Sequence, residues 1–193
     1  RANTMKAVIF ANGIMSQWPL DFELSPERDL IIAADGGFNH CRQYKIMPHI
    51  IVGDMDSINP TDIPAHGQGD VEIHRFPVRK DETDLHLALQ IAIDRNADEI
   101  VILGALGARW DMTFSNVLIL LSPILHGVPV KILESQYEFF CLHGCQKIDL
   151  EETPGNSVSL IPLAGPVTGI SLRGFVFPLD NETLPMGPTR GIS

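Results

Sequence analysis

The chain has 193 residues, of which 45% are hydrophobic and 20% charged, with a net charge of -10. That is ordinary globular composition, enough for one large domain or for one medium and one small. The acidic balance excludes the clustered Lys and Arg of a nucleic-acid surface, no apolar run is long enough to span a membrane, and no secretory leader is visible.

Three cysteines, Cys41, Cys141 and Cys145, do not make a disulfide framework, and an odd count suits a reducing cytoplasm. Cys141 and Cys145 flank His143, which suggests zinc, but no further Cys/His cluster supplies the remaining ligands. A hairpin turn at His143-Gly144 is the simpler expectation.

Residues 6–11 form a short β-rich apolar run closed by Asn12-Gly13, a buried strand and turn. After a stretch broken by Pro19 and Pro26, residues 30–34 give a second buried strand that ends in Asp35-Gly36-Gly37. Residues 38–45 have helical composition and stop at Met47-Pro48. The third strand, Ile50-Ile51-Val52, ends in Gly53-Asp54-Met55-Asp56-Ser57. Near-continuous apolar strands alternating with helices predict a mostly parallel, Rossmann-like α/β sheet with helices on both faces.

Residues 59–70 read as a loop and residues 71–76 as a fourth strand. Lys80-Asp81-Glu82-Thr83-Asp84 then leads into a helix over 85–96, where Leu85, Ala88, Leu89 and Ala92 make one apolar face. Acids and Thr at that position also suit a helix N-terminus. The fifth strand, 99–103, opens into Gly104-Ala105-Leu106-Gly107-Ala108-Arg109-Trp110-Asp111, followed by a helix over 114–125 and a sixth strand over 128–133. The glycine spacing matches neither the dinucleotide fingerprint nor a Walker A loop, yet such a loop can aim backbone N–H groups at phosphates.

From Tyr137 onward short β segments (137–142, 147–150, 158–161, 169–172 and 175–179) stand between Gly, Pro or Asn, with no helix signal. We expect an α/β nucleotide-binding domain over 1–135 and a smaller all-β sandwich over 136–193. The chain stops at Gly191-Ile192-Ser193 without a closing strand, and a sandwich lacking its last strand would expose an edge, so more polypeptide is expected beyond Ser193.

Strand ends thus carry Asp35, Asp54 with Asp56, Asp81 with Glu82 and Asp84, and Asp111, with Lys80 and Arg109 among them. In open α/β sheets ligands bind outside those ends. Close carboxylates repel and demand a cation. Mg²⁺ prefers oxygen ligands and shares itself between carboxylates and phosphates, while Lys80 and Arg109 can face phosphate oxygens. The residues alone therefore point to a Mg²⁺-dependent enzyme that uses a nucleotide, a transferase or hydrolase.

Taken in order, these motifs resemble the thiamine pyrophosphokinase (thiamin diphosphokinase) family. Gly155-Asn156-Ser157-Val158-Ser159-Leu160-Ile161-Pro162 and Gly191-Ile192-Ser193 resemble its carboxyl-terminal β domain. The resemblance implies a homodimer with active sites between subunits, contributed in part by the β domain. It also implies transfer of a diphosphate from ATP to the hydroxyethyl group of thiamine, releasing AMP. By resemblance, Asp54, Asp56 and Asp84 are the Mg²⁺ and phosphate-handling acids. Asp35, Gly36 and Gly37 belong to the same cleft, and Ser57, Lys80, Thr83 and Arg109 contact nucleotide or phosphate. Asp111 lies at the junction of thiamine and phosphate, and Ser193 belongs to the segment that holds thiamine.

The general base is open among Asp56, Asp84 and Asp111. Met112 stands where the family often has a polar His or Gln. Two alternatives follow: a diphosphokinase for another heterocyclic alcohol such as a hydroxymethyl pterin, and a non-catalytic nucleotide- or thiamine-binding regulator. The expected partners are ATP and thiamine, with no nucleic acid and no membrane, in a cytoplasmic protein.

Overall fold

Four five- or four-residue runs, KAVIF, LIIAA, IIVG and EIVIL, are almost wholly apolar, so as strands they must be covered on both faces. The computed structural model describes residues 4–59, 61–62, 71–107, 109–125, 127–150 and 155–192. It places these runs at the centre of a seven-stranded sheet as β1 (Lys6–Phe10), β2 (Leu30–Ala34), β3 (Ile50–Gly53) and β5 (Glu99–Leu103). β4 (Glu72–Arg75), β6 (Val130–Leu133) and β7 (Glu138–Phe140) complete the order β4-β3-β2-β1-β5-β6-β7. Every pair is parallel except β6 with β7.

Alternate residues of each strand feed two separate cores. Ile9, Ile32, Val52 and Ile102 pack with Leu85, Ala88, Leu89 and Ala92 of α2 (Asp84–Asp94). Phe10, Ile31, Ile51 and Leu103 face Phe38 and Cys41 of α1 (Gly37–Gln43). Trp18 joins this second core: its ring lies tilted or edge-on against Phe10, Phe22 and Tyr44, and its Nε1–H donates to Phe22 O at 2.8 Å.

The third helix differs from expectation. α3 runs over Trp110–Leu118 and then tightens into 3₁₀ turns at Ile119–Leu121 and Pro123–Leu125. Trp110, Phe114 and Leu118, one apolar stripe at helical spacing, are 78%, 65% and 47% exposed. That periodicity marks a surface, not a core.

The chain divides into two units at Gly144/Cys145. The segment expected as the first strand of the β domain is instead β7, the antiparallel edge of the large sheet. The second unit, residues 145–193, contains one antiparallel pair among the described residues, β8 (Val167–Leu172) with β9 (Leu179–Leu184). Residues 147–150 and 158–161 form no described strand, although Leu160 N–H donates to Gly191 O at 2.7 Å. The chain bends at Gly144-Cys145, and the expected hairpin turn at His143-Gly144 joins no two paired strands among the described residues.

Candidate active site

The sheet reverses direction at β1: β2, β3 and β4 continue on one side, β5, β6 and β7 on the other. In such sheets the loops leaving the carboxyl ends part at the reversal and leave a crevice. A cleft of about 350 Å³ lies there, lined by residues that follow β1 (Asn12), β2 (Asp35), β3 (Asp54), β4 (Lys80, Asp84) and β5 (Gly107, Arg109).

The acidic wall is built by close packing. Gly37 opens α1 hard against β1, where a Cβ would fall 1.9 Å from Phe10 O; at Gly36 it would meet the Asn12 side chain. Gly53 has φ 147°, and a Cβ there would approach Asp35 Cβ at 3.0 Å and Asp84 Oδ1 at 3.1 Å. Only glycine lets β3 end so near both acids. Asp35 and Met55 themselves hold left-handed backbone, φ 45° and 68°. Strain of this kind persists only where the surroundings over-determine it.

Carboxylate oxygens of Asp35, Asp54 and Asp56 lie within 4.8 Å of one another. Asp54 Oδ1 accepts the Asp56 N–H at 3.1 Å, and Asp56 Oδ1 accepts the Ser57 hydroxyl at 3.0 Å. Asn12 Nδ2 bridges Asp35 Oδ2 and Ser57 Oγ at 3.3 Å each, and Asn39 Nδ2 holds Ser57 O at 3.1 Å. Asp35 is 5% exposed, and its Oδ1 is buried with no hydrogen-bond partner. An unpaired buried carboxylate oxygen is costly, and all three carboxylates of the group offer hard oxygen ligands. The group fits a small hard cation such as Mg²⁺.

Next to it, Lys80 Nζ donates to Asp84 Oδ1 at 2.6 Å, with both side chains largely shielded. Burial nevertheless raises the Asp84 pKa above the usual carboxylate range; Lys80 opposes the shift, and the charges of Asp35 and Asp54 add to it. Asp84 begins α2, and Thr83 is its N-cap, with Oγ1 accepting the His86 N–H at 3.2 Å. That use of the oxygen leaves the hydroxyl proton to donate into the cleft, which Thr83 lines.

The glycine loop behaves differently from expectation. Gly104 O accepts from Gly13 N–H (2.7 Å), Leu106 O from Ile14 N–H (2.8 Å) and Ala105 O from the buried Asn116 amide (2.6 Å). The Gly107 N–H is taken by Thr113 Oγ1 at 3.0 Å. His40 Nε2, 3.0 Å from Gly13 O, holds the facing turn. The loop carbonyls and the Gly107 N–H are thus engaged within the protein. Its cationic contribution is the Arg109 side chain, which is exposed and closes on Asp111 through Nε–Oδ1 at 3.1 Å and Nη2–Oδ2 at 2.5 Å. Each charge favours the other: Asp111 is held below the usual carboxylate range and Arg109 above its ordinary value.

Comparison with known proteins decides the family. Residues 23–132 match the thiamin pyrophosphokinase catalytic domain, and residues 145–193 match the thiamin pyrophosphokinase vitamin B1 binding domain. The chain belongs to the thiamin pyrophosphokinase family. It is 28% identical over 168 residues to thiamine pyrophosphokinase of Bacillus subtilis, spanning 86% of this chain and 78% of that protein. The crystal structure of the Bacillus subtilis thiamine pyrophosphokinase superposes with a TM-score of 0.84 at 26% identity, over 98% of this chain and 88% of the other. That from Geobacillus thermodenitrificans gives 0.78 at 27% identity, over 95% and 84%.

Within this thiamin pyrophosphokinase fold, the residues singled out in the sequence divide into three sets. Asp35, Asp54, Lys80, Thr83, Asp84 and Arg109 line one cleft, and Asp56 and Ser57 join Asp54 at its rim. Gly36 and Gly37 act by letting backbone approach, and Asp111 is exposed, bound to Arg109 outside the lining. Ser193 lies outside the described residues. Met112 lines the cleft, whereas Trp110 does not. Sequence reading missed Asn12, Asn39 and Asn116 as organisers; the only signal for Asn12 was its place in the turn closing the first strand.

Proposed function

We propose that this chain, as a thiamin pyrophosphokinase, transfers a diphosphate from ATP to the hydroxyethyl oxygen of thiamine, yielding thiamine diphosphate and AMP. The unpartnered Oδ1 of buried Asp35, facing Asp54 and Asp56, carries the reading that Mg²⁺ is held here. Asp84 belongs to the same charge group through its coupling to Asp35 and Asp54. The bound ion supplies neutralisation of phosphate charge.

The protein's own part is positioning. Lys80 and Arg109 face phosphate oxygens, and the Thr83 hydroxyl donates to another. The thiamine oxygen bonds to the β-phosphorus as the bond from that phosphorus to the α–β bridging oxygen breaks. AMP leaves with that bridging oxygen, and the hydroxyl proton passes to a carboxylate, Asp56, Asp84 or Asp111, or to solvent. A second copy of the chain and the β unit, including Ser193, are assigned to the thiamine side by family resemblance. A cytoplasmic location accords with the absence, among the described residues, of a helix long and apolar enough to cross a membrane.

Incubation with ATP, Mg²⁺ and thiamine, scoring thiamine diphosphate and AMP together, tests the reaction. AMP release with a hydroxymethyl pterin but not with thiamine would move the substrate to the alternative class. Binding of both ligands without product over long incubation would make the chain a regulator.

A further inference from the structure

We propose that Thr113 is a positioning residue: its hydroxyl clamps the end of the 104–107 loop to α3 and so sets where Arg109 enters the cleft. Arg109 is the N-cap residue of α3, with extended backbone (φ -106°, ψ 128°) and no side-chain bond to the free N–H groups of the helix. Ser, Thr, Asp or Asn is the usual choice there, and the macrodipole opposes a cation at a helix N-terminus. The position is taken instead by an arginine that lines the cleft, so the start of the helix has to be fixed by another group.

Thr113, one turn into α3, is that group. Its Oγ1 accepts the Gly107 N–H at 3.0 Å, and its single hydroxyl proton has Gly107 O at 3.2 Å and Arg109 O at 3.0 Å as acceptors. The Thr113 N–H also donates to Arg109 O at 3.0 Å, the bond that opens the helix. One residue thus holds the backbone on both sides of the step from loop to helix. The bonds that hold the earlier part of the loop stop short of this step: Gly13 and Ile14 engage Gly104 O and Leu106 O, and Asn116 engages Ala105 O. Gly107 is where the chain turns, at φ 84°, and a Cβ there would press on Ile14 at 3.0 Å, so a change at this turn redirects the residues that follow. Gly107 and Arg109 line the cleft, whereas Thr113 does not. Thr113 therefore meets a ligand there only through the loop and Arg109.

The experiment compares Thr113→Val, which keeps the shape and loses the hydroxyl, with Thr113→Ser, which keeps the hydroxyl, in the full chain and with or without Arg109→Ala. The readings are amide hydrogen exchange at Gly107, affinity for ATP with Mg²⁺ by titration, and KM and kcat with ATP and thiamine. Gly107 is exposed, so its amide owes its protection to the Thr113 oxygen. In Thr113→Val exchange at Gly107 is expected to be roughly tenfold faster. ATP affinity falls about three- to fivefold, with a matching rise in KM and little change in kcat. Thr113→Ser restores both. In the Arg109→Ala background Thr113→Val weakens ATP no further, the non-additivity of two residues that act as one.

Unchanged exchange at Gly107, or unchanged ATP affinity, in Thr113→Val would overturn the proposal. A Ser variant as impaired as Val would overturn it as well, because the cause would then be packing of the methyl group. So would a loss that adds fully to that of Arg109→Ala, which would send the effect by another route. If Val does not fold, Thr113→Ala takes its place against Ser in the same readings. The kinetic arm rests on the diphosphokinase reading and the exchange arm does not. A wild type that binds ATP without turnover sinks that reading and leaves this one to exchange and affinity; one that binds no ATP leaves it to exchange alone.

Discussion

The two walls of the cleft are built to different standards. On the acidic wall Asp35, Asp54 and Asp56 sit on strand ends pressed together through Gly37 and Gly53, with two non-glycine residues in left-handed backbone. On the opposite wall Arg109 is largely exposed and is satisfied by Asp111, which lies outside the lining. A cation needs fixed, preorganised oxygens, so its site must be rigid before anything arrives. A phosphate can be met by an arginine that exchanges one carboxylate for another anion. One wall is finished without substrate, and the other is held in reserve by an internal counter-ion.

The largest effect should come from breaking the finished wall. Asp54→Ala is expected to lower turnover by about a hundredfold or more, the scale for losing a preorganised electrostatic group. It should also abolish the rise in melting temperature that added Mg²⁺ gives the wild type, while leaving the fold intact. Near-normal activity, or a retained Mg²⁺ shift, would remove Asp54 from the metal site.

Next is the packing behind that wall. Gly53→Ala forces a Cβ onto Asp35 and Asp84 from a backbone conformation that side chains avoid, and should cost about 1–3 kcal/mol in urea unfolding. Gly127 also has positive φ, 83°, but a Cβ there meets nothing within 4 Å. Gly127→Ala isolates the backbone share, about 1 kcal/mol. Equal losses at the two positions would mean that the close approach around Gly53 contributes nothing.

This contrast also explains what could be read beforehand. The acidic wall was legible because a buried parallel strand writes a continuous apolar run and its end is marked by Gly and Asp. The reserve side was legible in its side chains, Arg109 and Asp111, but not in its backbone. Its loop looked like an anion cradle because glycines are visible in sequence, whereas the Thr113 and Asn116 side chains that engage the Gly107 N–H and Ala105 C=O are not adjacent to them in the chain. The stripe Trp110, Phe114, Leu118 satisfied helical periodicity without being core, and β7 was counted with the wrong unit because a three-residue edge strand carries little pattern of its own.

A smaller effect is expected on the reserve wall. Arg109→Ala should raise KM for ATP by roughly tenfold, as for a lost charge-assisted contact, with an unchanged unfolding midpoint because the pair is largely exposed. Arg109→Lys should recover only part, since one ammonium cannot reproduce a planar fork. A marked loss of stability in either variant would show that this side is as structural as the other.

The smallest and most diagnostic effect concerns Asp84, which stands between the walls. Its folded pKa is raised, chiefly by burial, so the protonated form is the one the fold prefers. The associated stability is fully present below the unfolded carboxylate pKa and is lost as pH rises through the higher folded value. In metal-free protein, wild-type stability should therefore decline across that window, and Asp84→Asn should flatten the decline. With Mg²⁺ the sign reverses: a cation beside Asp35 and Asp54 removes the repulsion that raises Asp84, so its folded pKa falls and added Mg²⁺ stabilises more as pH increases. Urea midpoints over a pH series, with and without Mg²⁺, separate the two cases. If Asp84→Asn keeps the wild-type slope in both, Asp84 is only a helix-start residue paired to Lys80, and the two walls meet without it.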